Sequence, residues 1–175
     1  MLRPADTAFA TARCRVQPMT VDDAAGVLAI RATMPWDPPT RDLAATVAMI
    51  DEVARRELGE AGWRQFAVLE DGVLIGDIGV NIGIPSQGQA ELGFAFAPAA
   101  RGHGLAQESV GALVDRLFAA GLHRIAATTD ARNLPAQRLL SRLRFRREAH
   151  FVASWPCDAP GGWSDEFAYA RLACE

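Results

Sequence analysis

Arg101-Gly102-His103-Gly104-Leu105-Ala106 places two glycines and an arginine between an apolar run and a helical one, in the stretch "FAPAARGHGLAQESV". Residue types in that order point to anion chemistry. At a helix start the first backbone N–H groups have no intrahelical partner and point outward as donors. The helix dipole adds roughly half a positive charge there. Gly104 and the small Ala106 let a diphosphate come close to the backbone, and Arg101 adds a formal charge. Two other nucleotide cradles fail on spacing. A phosphate-binding P-loop needs GxxxxGK[ST], and the required lysine and hydroxyl are missing after Gly102 and Gly104. A dinucleotide fingerprint needs GxGxxG/A, and Gln107 stands at its last position. A glycine turn with no ligand is the plain alternative, and the hexamer alone leaves the two balanced.

The other chemistry-bearing residues narrow the field. His103, His123 and His150 have no metal-ligand spacing with one another or with Cys14, Cys157 and Cys174, so no metal is expected. Three scattered cysteines without a CxxC pair read as free thiols in a reducing cytoplasm. A formal net charge of -3 disfavours broad attraction to DNA or to anionic membranes. No apolar run approaches the roughly 20 residues that span a bilayer. Pro4, Asp6 and Arg13 break up the start, which therefore lacks the apolar centre of a signal peptide. With 175 residues, half of them hydrophobic, the chain suits a single domain over 1–175 with a real core.

The elements that must position these residues follow from periodicity and punctuation. Thr20 is placed to cap a helix whose first turn holds Asp22 and Asp23, and whose apolar pattern stops at Arg31. The prolines of "MPWDPPT" interrupt, and a second helix fits from about Arg41 to Leu58, with Gly59 as its stop. Asp71-Gly72 between two apolar runs is a strong hairpin signal. "QAELGFAFAP" is a third strand, closed by Pro98. The helical period returns from Gly104 to Ala120, with Gly121 as the stop. "HRIAATTD" reads as a short buried strand, and Asn133 caps a helix carrying Pro135 in its first turn. "FRREAHFVASW" and "DEFAYARLA" are two closing strands. The order predicts an α/β (α+β) domain with a mixed sheet, its strand-helix units running parallel.

At this point the chain resembles the GNAT superfamily of acyl-CoA N-acyltransferases, whose central motif is [RQ]-x-x-G-x-[GA] between a strand and a helix. "ELGFAFAPAARGHGLAQESV", including Glu108, is similar to the version in the RimJ/RimL-type branch, the ribosomal-protein N-terminal acetyltransferases. The second family segment matches "IAATTDARNLPAQRLLSRLRF", with Asn133, Ala136, Leu139, Leu140 and Phe145 in register. Together the segments span about residues 66 to 150. Two positions depart from the pattern: Arg144 replaces the usual glycine, and Leu140 replaces the tyrosine that serves as acid in many relatives.

The resemblance implies a mostly antiparallel central sheet, splayed at the cofactor site and flanked by helices. It implies acetyl-CoA as co-substrate, with its pantetheine amides paired to the backbone of Phe94, Ala95 and Phe96 and its diphosphate on Arg101, Gly102, His103, Gly104, Leu105 and Ala106. Asn133 would touch the pantetheine arm while also capping its helix. The reaction is attack by an amine on a thioester, the acceptor being a protein N-terminus or a small molecule. Glu91 occupies the family position for a base, against the alternative of a solvent-facing strand residue. Tyr169 and Ser141 are candidate acids, against packing and surface roles respectively. Trp36 and Trp163 are candidates for the acceptor mouth or plain hydrophobic plugs. Arg138, Arg142, Arg144, Arg146 and Arg147 form a basic cluster, open to an adenosine 3′-phosphate, to RNA or to solvent. Relatives point to a homodimer. A catalytically silent acyl-CoA sensor, or a ribosome-associated binding module, is the reading from another class.

Overall fold

The computed structural model describes residues 8–35, 42–56, 60–157 and 161–175. Eight strands form one sheet in the order β1-β2-β3-β4-β5-β6-β8-β7. They are β1 (Phe9–Ala10), β2 (Cys14–Pro18), β3 (Gly62–Glu70), β4 (Val73–Ile82), β5 (Gln89–Phe96), β6 (Arg124–Asp130), β7 (Arg146–Pro156) and β8 (Trp163–Leu172). Helices α1 (Ala24–Arg31), α2 (Leu43–Ala54), α3 (Leu105–Ala119) and α4 (Leu134–Arg142) flank the sheet.

Local chemistry sets most element ends. The Thr20 N–H donates to the Asp23 carboxylate at 2.8 Å across a 3-10 turn, Val21–Asp23, so Thr20 caps that turn and α1 itself begins only at Ala24. Asp42 accepts from the Ala45 N–H at 2.8 Å, so α2 begins at Leu43, two residues later than its composition implied. Its buried stripe of Thr46, Ile50 and Val53 ends with Ala54, and the expected stop at Gly59 lies outside the described residues. Asp71 and Gly72 have φ of 48° and 80°, the left-handed pair that a two-residue hairpin between β3 and β4 requires.

Two features depart from the expected order. Strands β1 and β2 were absent from it; β2 alternates Cys14 and Val16 inward with Arg15 outward, a pattern too short to stand out alone, and it lies antiparallel to β3. The strand-helix units are also not all parallel neighbours. Only β5 and β6 pair in parallel, because β8 inserts between β6 and β7 and runs antiparallel to both. The sheet is therefore mostly antiparallel.

Helices α3 and α4 bury Val110, Leu113, Leu117 and Leu140 with Ile78, Val80, Leu92 and Ile125 of the sheet. On the other face α1 and α2 bury Val27 and Ile50 with Met19 and Ala24. Strand β4 lies under both layers, which explains its nearly continuous buried run.

Candidate active site

The two parallel strands start together and then part. β5 and β6 pair at Gln89–Arg124, Ala90–Ile125 and Glu91–Ala126, and the pairing stops there although both strands continue. Beyond that point Leu92, Gly93 and Phe94 face Ala127, Thr128 and Thr129 across a cleft closed by Asn133, Ala136 and Leu140 of the α4 segment. The Ala97 N–H donates to the Ile75 carbonyl of β4 at 2.9 Å, which sets the alternation along β5. Gly93 and Ala95 turn their backbone groups to β4, while Leu92, Phe94 and Phe96 turn theirs toward the gap. Of the expected trio, Phe94 lines the cleft, Phe96 turns its backbone to the same side, and Ala95 turns its own to β4.

The glycine loop follows at the end of β5. Gly102 and Gly104 have φ of 82° and 80°, conformations that L side chains rarely adopt. The first backbone bond of α3 runs from the Glu108 N–H to the Gly104 carbonyl at 3.0 Å, so the amides of Leu105, Ala106 and Gln107 have no intrahelical acceptor. A Cβ at Gly102 would meet nothing within 4 Å, which leaves the loop open to an incoming group. Leu105 is buried in the core and Ala106 packs against it, anchoring the first turn beneath.

Arg101 does not extend from this loop. Its guanidinium donates to the Phe96 carbonyl at 3.1 and 3.3 Å and to Thr33 Oγ1 at 3.3 Å, tying the loop to the end of α1. That end is held a second time by Arg31, which donates to the fully buried Asp77 of β4 at 2.6 Å. The cation beside the loop is instead Arg13, from the β1–β2 turn. It donates to the His103 carbonyl at 2.9 Å, and its Nη2 would lie 3.5 Å from a Cβ at Gly104. Arg13 also pairs with Glu108 on α3, through Nε at 2.8 Å and through its backbone N–H at 2.8 Å. The Thr11 hydroxyl completes the clamp at 2.5 Å. The Thr11 bond, together with the Arg13 contacts, holds the Glu108 carboxyl below its ordinary value. Thr11 and Arg13 were missed because they lie more than 90 residues away from Glu108 in sequence.

The remaining candidates separate. Glu91 is exposed, on the sheet face opposite α3 and α4. Asn133 lines the cleft, and its carboxamide oxygen caps α4 by accepting from the Ala136 N–H, 3.1 Å away. Tyr169 is a buried member of the main core, on β8 directly opposite Ala127. Ser141 is exposed on α4, away from the cleft-lining Ala136 and Leu140. Trp163 is 55% exposed at the end of the β7–β8 hairpin, and Trp36 lies outside the described residues.

The basic cluster is not one surface. Arg146 pairs with Glu148 at 2.7 Å and with Glu175, while Arg147 stacks over Phe167 at 4.5 Å. Arg124 also bonds Glu148, and that bond is the main reason its carboxyl is pulled down to about 2. Arg138, Arg142 and Arg144 are exposed. The three cysteines are free, and Cys14 is buried, which raises its thiol pKa. No helix of the described residues is long and apolar enough to cross a membrane.

Comparison with known proteins agrees with this geometry. The acetyltransferase (GNAT) domain family matches residues 13–146. A stretch of 83 residues, 47% of the chain, is 35% identical to the uncharacterized N-acetyltransferase YnaD of Bacillus subtilis, where it covers 48% of that protein. Over 103 residues, 58% of the chain, the identity to the uncharacterized N-acetyltransferase p20 of Bacillus licheniformis is 32%, covering 57% of it. The chain thus spans about half the length of these curated relatives. The solved structure of Mycobacterium smegmatis RimJ in complex with CoA-disulfide superposes with a TM-score of 0.81 at 24% identity, over 99% of this chain and 90% of that one. The family match runs from the Arg13 clamp through the glycine loop and the cleft to the start of β7, and on that ground the chain belongs to the GNAT acetyltransferase family.

Proposed function

We propose that the chain transfers an acetyl group from acetyl-CoA to a primary amine while both are held in one ternary complex. The observation that carries this reading is the parting of β5 from β6 beyond Glu91. It leaves backbone groups of Leu92 and Phe94 and the Phe96 N–H facing a gap that an extended amide-bearing arm can enter as an added strand, the Phe96 carbonyl being held by Arg101. The open glycine loop beside it suits a diphosphate, with the Leu105, Ala106 and Gln107 amides as donors and Arg13 as the adjacent cation. The CoA-disulfide in the RimJ structure of the same fold supports the choice of ligand, and the names of the two relatives support the reaction.

When bound, acetyl-CoA supplies a thioester carbonyl open to attack. The residues of this chain do the rest. A lysine-type amine, with pKa about 10.4, is mostly protonated at pH 7, whereas an α-amine near 8 is less so. In this reading Glu91 takes the proton from the ammonium nitrogen and leaves the neutral nucleophile, a role supported by its exposure and its level with the point where β5 and β6 part. The Phe96 N–H faces the gap and suits an oxygen that gains negative charge. Tyr169 and Ser141 do not line the cleft, and a thiolate departs without an acid. Holding both reactants in one site supplies much of the remaining acceleration.

The test is amine-dependent release of CoA thiol from acetyl-CoA, across short peptides with free N-termini, polyamines and aminoglycosides. Release that needs both the protein and an amine is the expected result. Acetyl-CoA binding without release from any amine would make the chain a binding module.

A further inference from the structure

The sheet face that carries Glu91 holds two directly opposed glycines, Gly79 and Gly93. Directly opposed residues on neighbouring antiparallel strands share a face. Trp63, Asn81 and Glu91 therefore form one row across β3, β4 and β5, and Gln65, Gly79 and Gly93 form the next. The Trp63 indole lies over the two glycines. A Cβ at Gly79 would lie 2.9 Å from the Gln65 amide and 3.1 Å from Trp63 Cζ3, and one at Gly93 would lie 3.9 Å from Cζ3 and Cη2, an ordinary contact. The six-membered ring thus reaches from β3 across β4 to β5. Gly93 also lines the cleft, so the ring ends where the cleft meets this face, beside the row that holds Glu91.

Trp63 is only partly buried, and among the described residues it belongs to neither apolar cluster. Its neighbours in the two rows are Gln65, Asn81 and Glu91, polar groups that a ring serving as core packing would not gather. An aromatic ring with an exposed surface next to a carboxylate is the chemistry that holds a primary ammonium group, by cation–π attraction and charge together.

Resting on the acetyl-transfer reading above, we infer that Trp63 is an acceptor-binding residue, its ring holding the ammonium-bearing end of the amine beside Glu91. Glycine at 79 leaves room for the Gln65 amide and the ring, and glycine at 93 keeps the cleft mouth wide beneath the ring.

The experiment is steady-state kinetics of the full chain and of Trp63→Leu and Trp63→Phe, with amine and acetyl-CoA varied separately. Tetramethylammonium, a cation with no transferable proton, is added as a competitor. Trp63→Leu is expected to raise the amine KM about five- to tenfold and to abolish competition by tetramethylammonium. Its acetyl-CoA KM should stay within about twofold of the parent, and Trp63→Phe, which keeps a π face, should retain competition. An unchanged amine KM in Trp63→Leu, or a parallel rise in the acetyl-CoA KM, overturns the inference and leaves acetyl transfer standing. Failure of every amine with the unaltered chain overturns the transfer reading, and this inference with it.

Discussion

At Glu91 a carboxylate stands on an exposed strand face, level with the last residue pair that β5 makes with β6. Proton transfer by a positioned base contributes on the order of 100-fold to 10,000-fold in rate. Glu91→Gln keeps the shape and removes the acceptor, so kcat should fall by about 100-fold or more. Its acetyl-CoA affinity should be unchanged, because the glycine loop and the cleft are intact. The pH–rate profile decides: if the variant keeps the parent's rate and profile, the base is elsewhere. Asn133 both caps α4 through its oxygen and lines the cleft, so the cap does not take it away from the cleft.

At the scale of elements, the glycine loop is held from two sides. Arg101 ties it to the end of α1, and the Thr11–Arg13 turn clamps it through Glu108 on α3. Hydrogen bonds to a charged group are worth about 1.5–3 kcal/mol. Arg13 is about half exposed, its side chain 48% accessible, so solvent screening reduces this. Glu108→Gln should therefore lower stability by about 1–2 kcal/mol at pH 7 and weaken acetyl-CoA binding through a looser loop. The Glu108 carboxyl is held below its ordinary value, so the clamp is complete above the unfolded-chain pKa and is lost as pH falls through the depressed one. Urea denaturation should show the difference between variant and parent shrinking in acid and constant from pH 6 to 8. A difference that stays the same in strong acid would mean that packing, not ionisation, makes the clamp.

Across the whole molecule, the cofactor would bridge the parted strands, the loop before α3 and the start of α4. A ligand bound only by the folded state stabilises by RT ln(1 + [L]/Kd), about 2.7 kcal/mol at a hundredfold excess over Kd. Acetyl-CoA should raise the melting temperature by several degrees, while NAD and ATP at equal concentration should not. A shift with NAD or ATP as large as that with acetyl-CoA would mark the loop as a general anion site. At the far edge, Glu148 joins Arg124 of β6 to Arg146 of β7 and so locks the inserted β8 between them.

What the sequence determined by itself was local. The Asp71-Gly72 turn, the Thr20 and Asn133 caps and the two glycines before α3 act over a few bonds, so residue types there decide the backbone directly. The glycine loop and the strand before it were legible for the same reason, and they carried the family. Only the tertiary structure decided the rest, because those contacts join residues far apart in the chain. Nothing near β7 announces that β8 will slip between it and β6, and nothing near Glu108 names Arg13 as its partner. The gap beyond Glu91 is a failure of two strands to pair, which neither strand shows alone. Trp63 meets Gly79 and Gly93, on two other strands, only in the folded sheet.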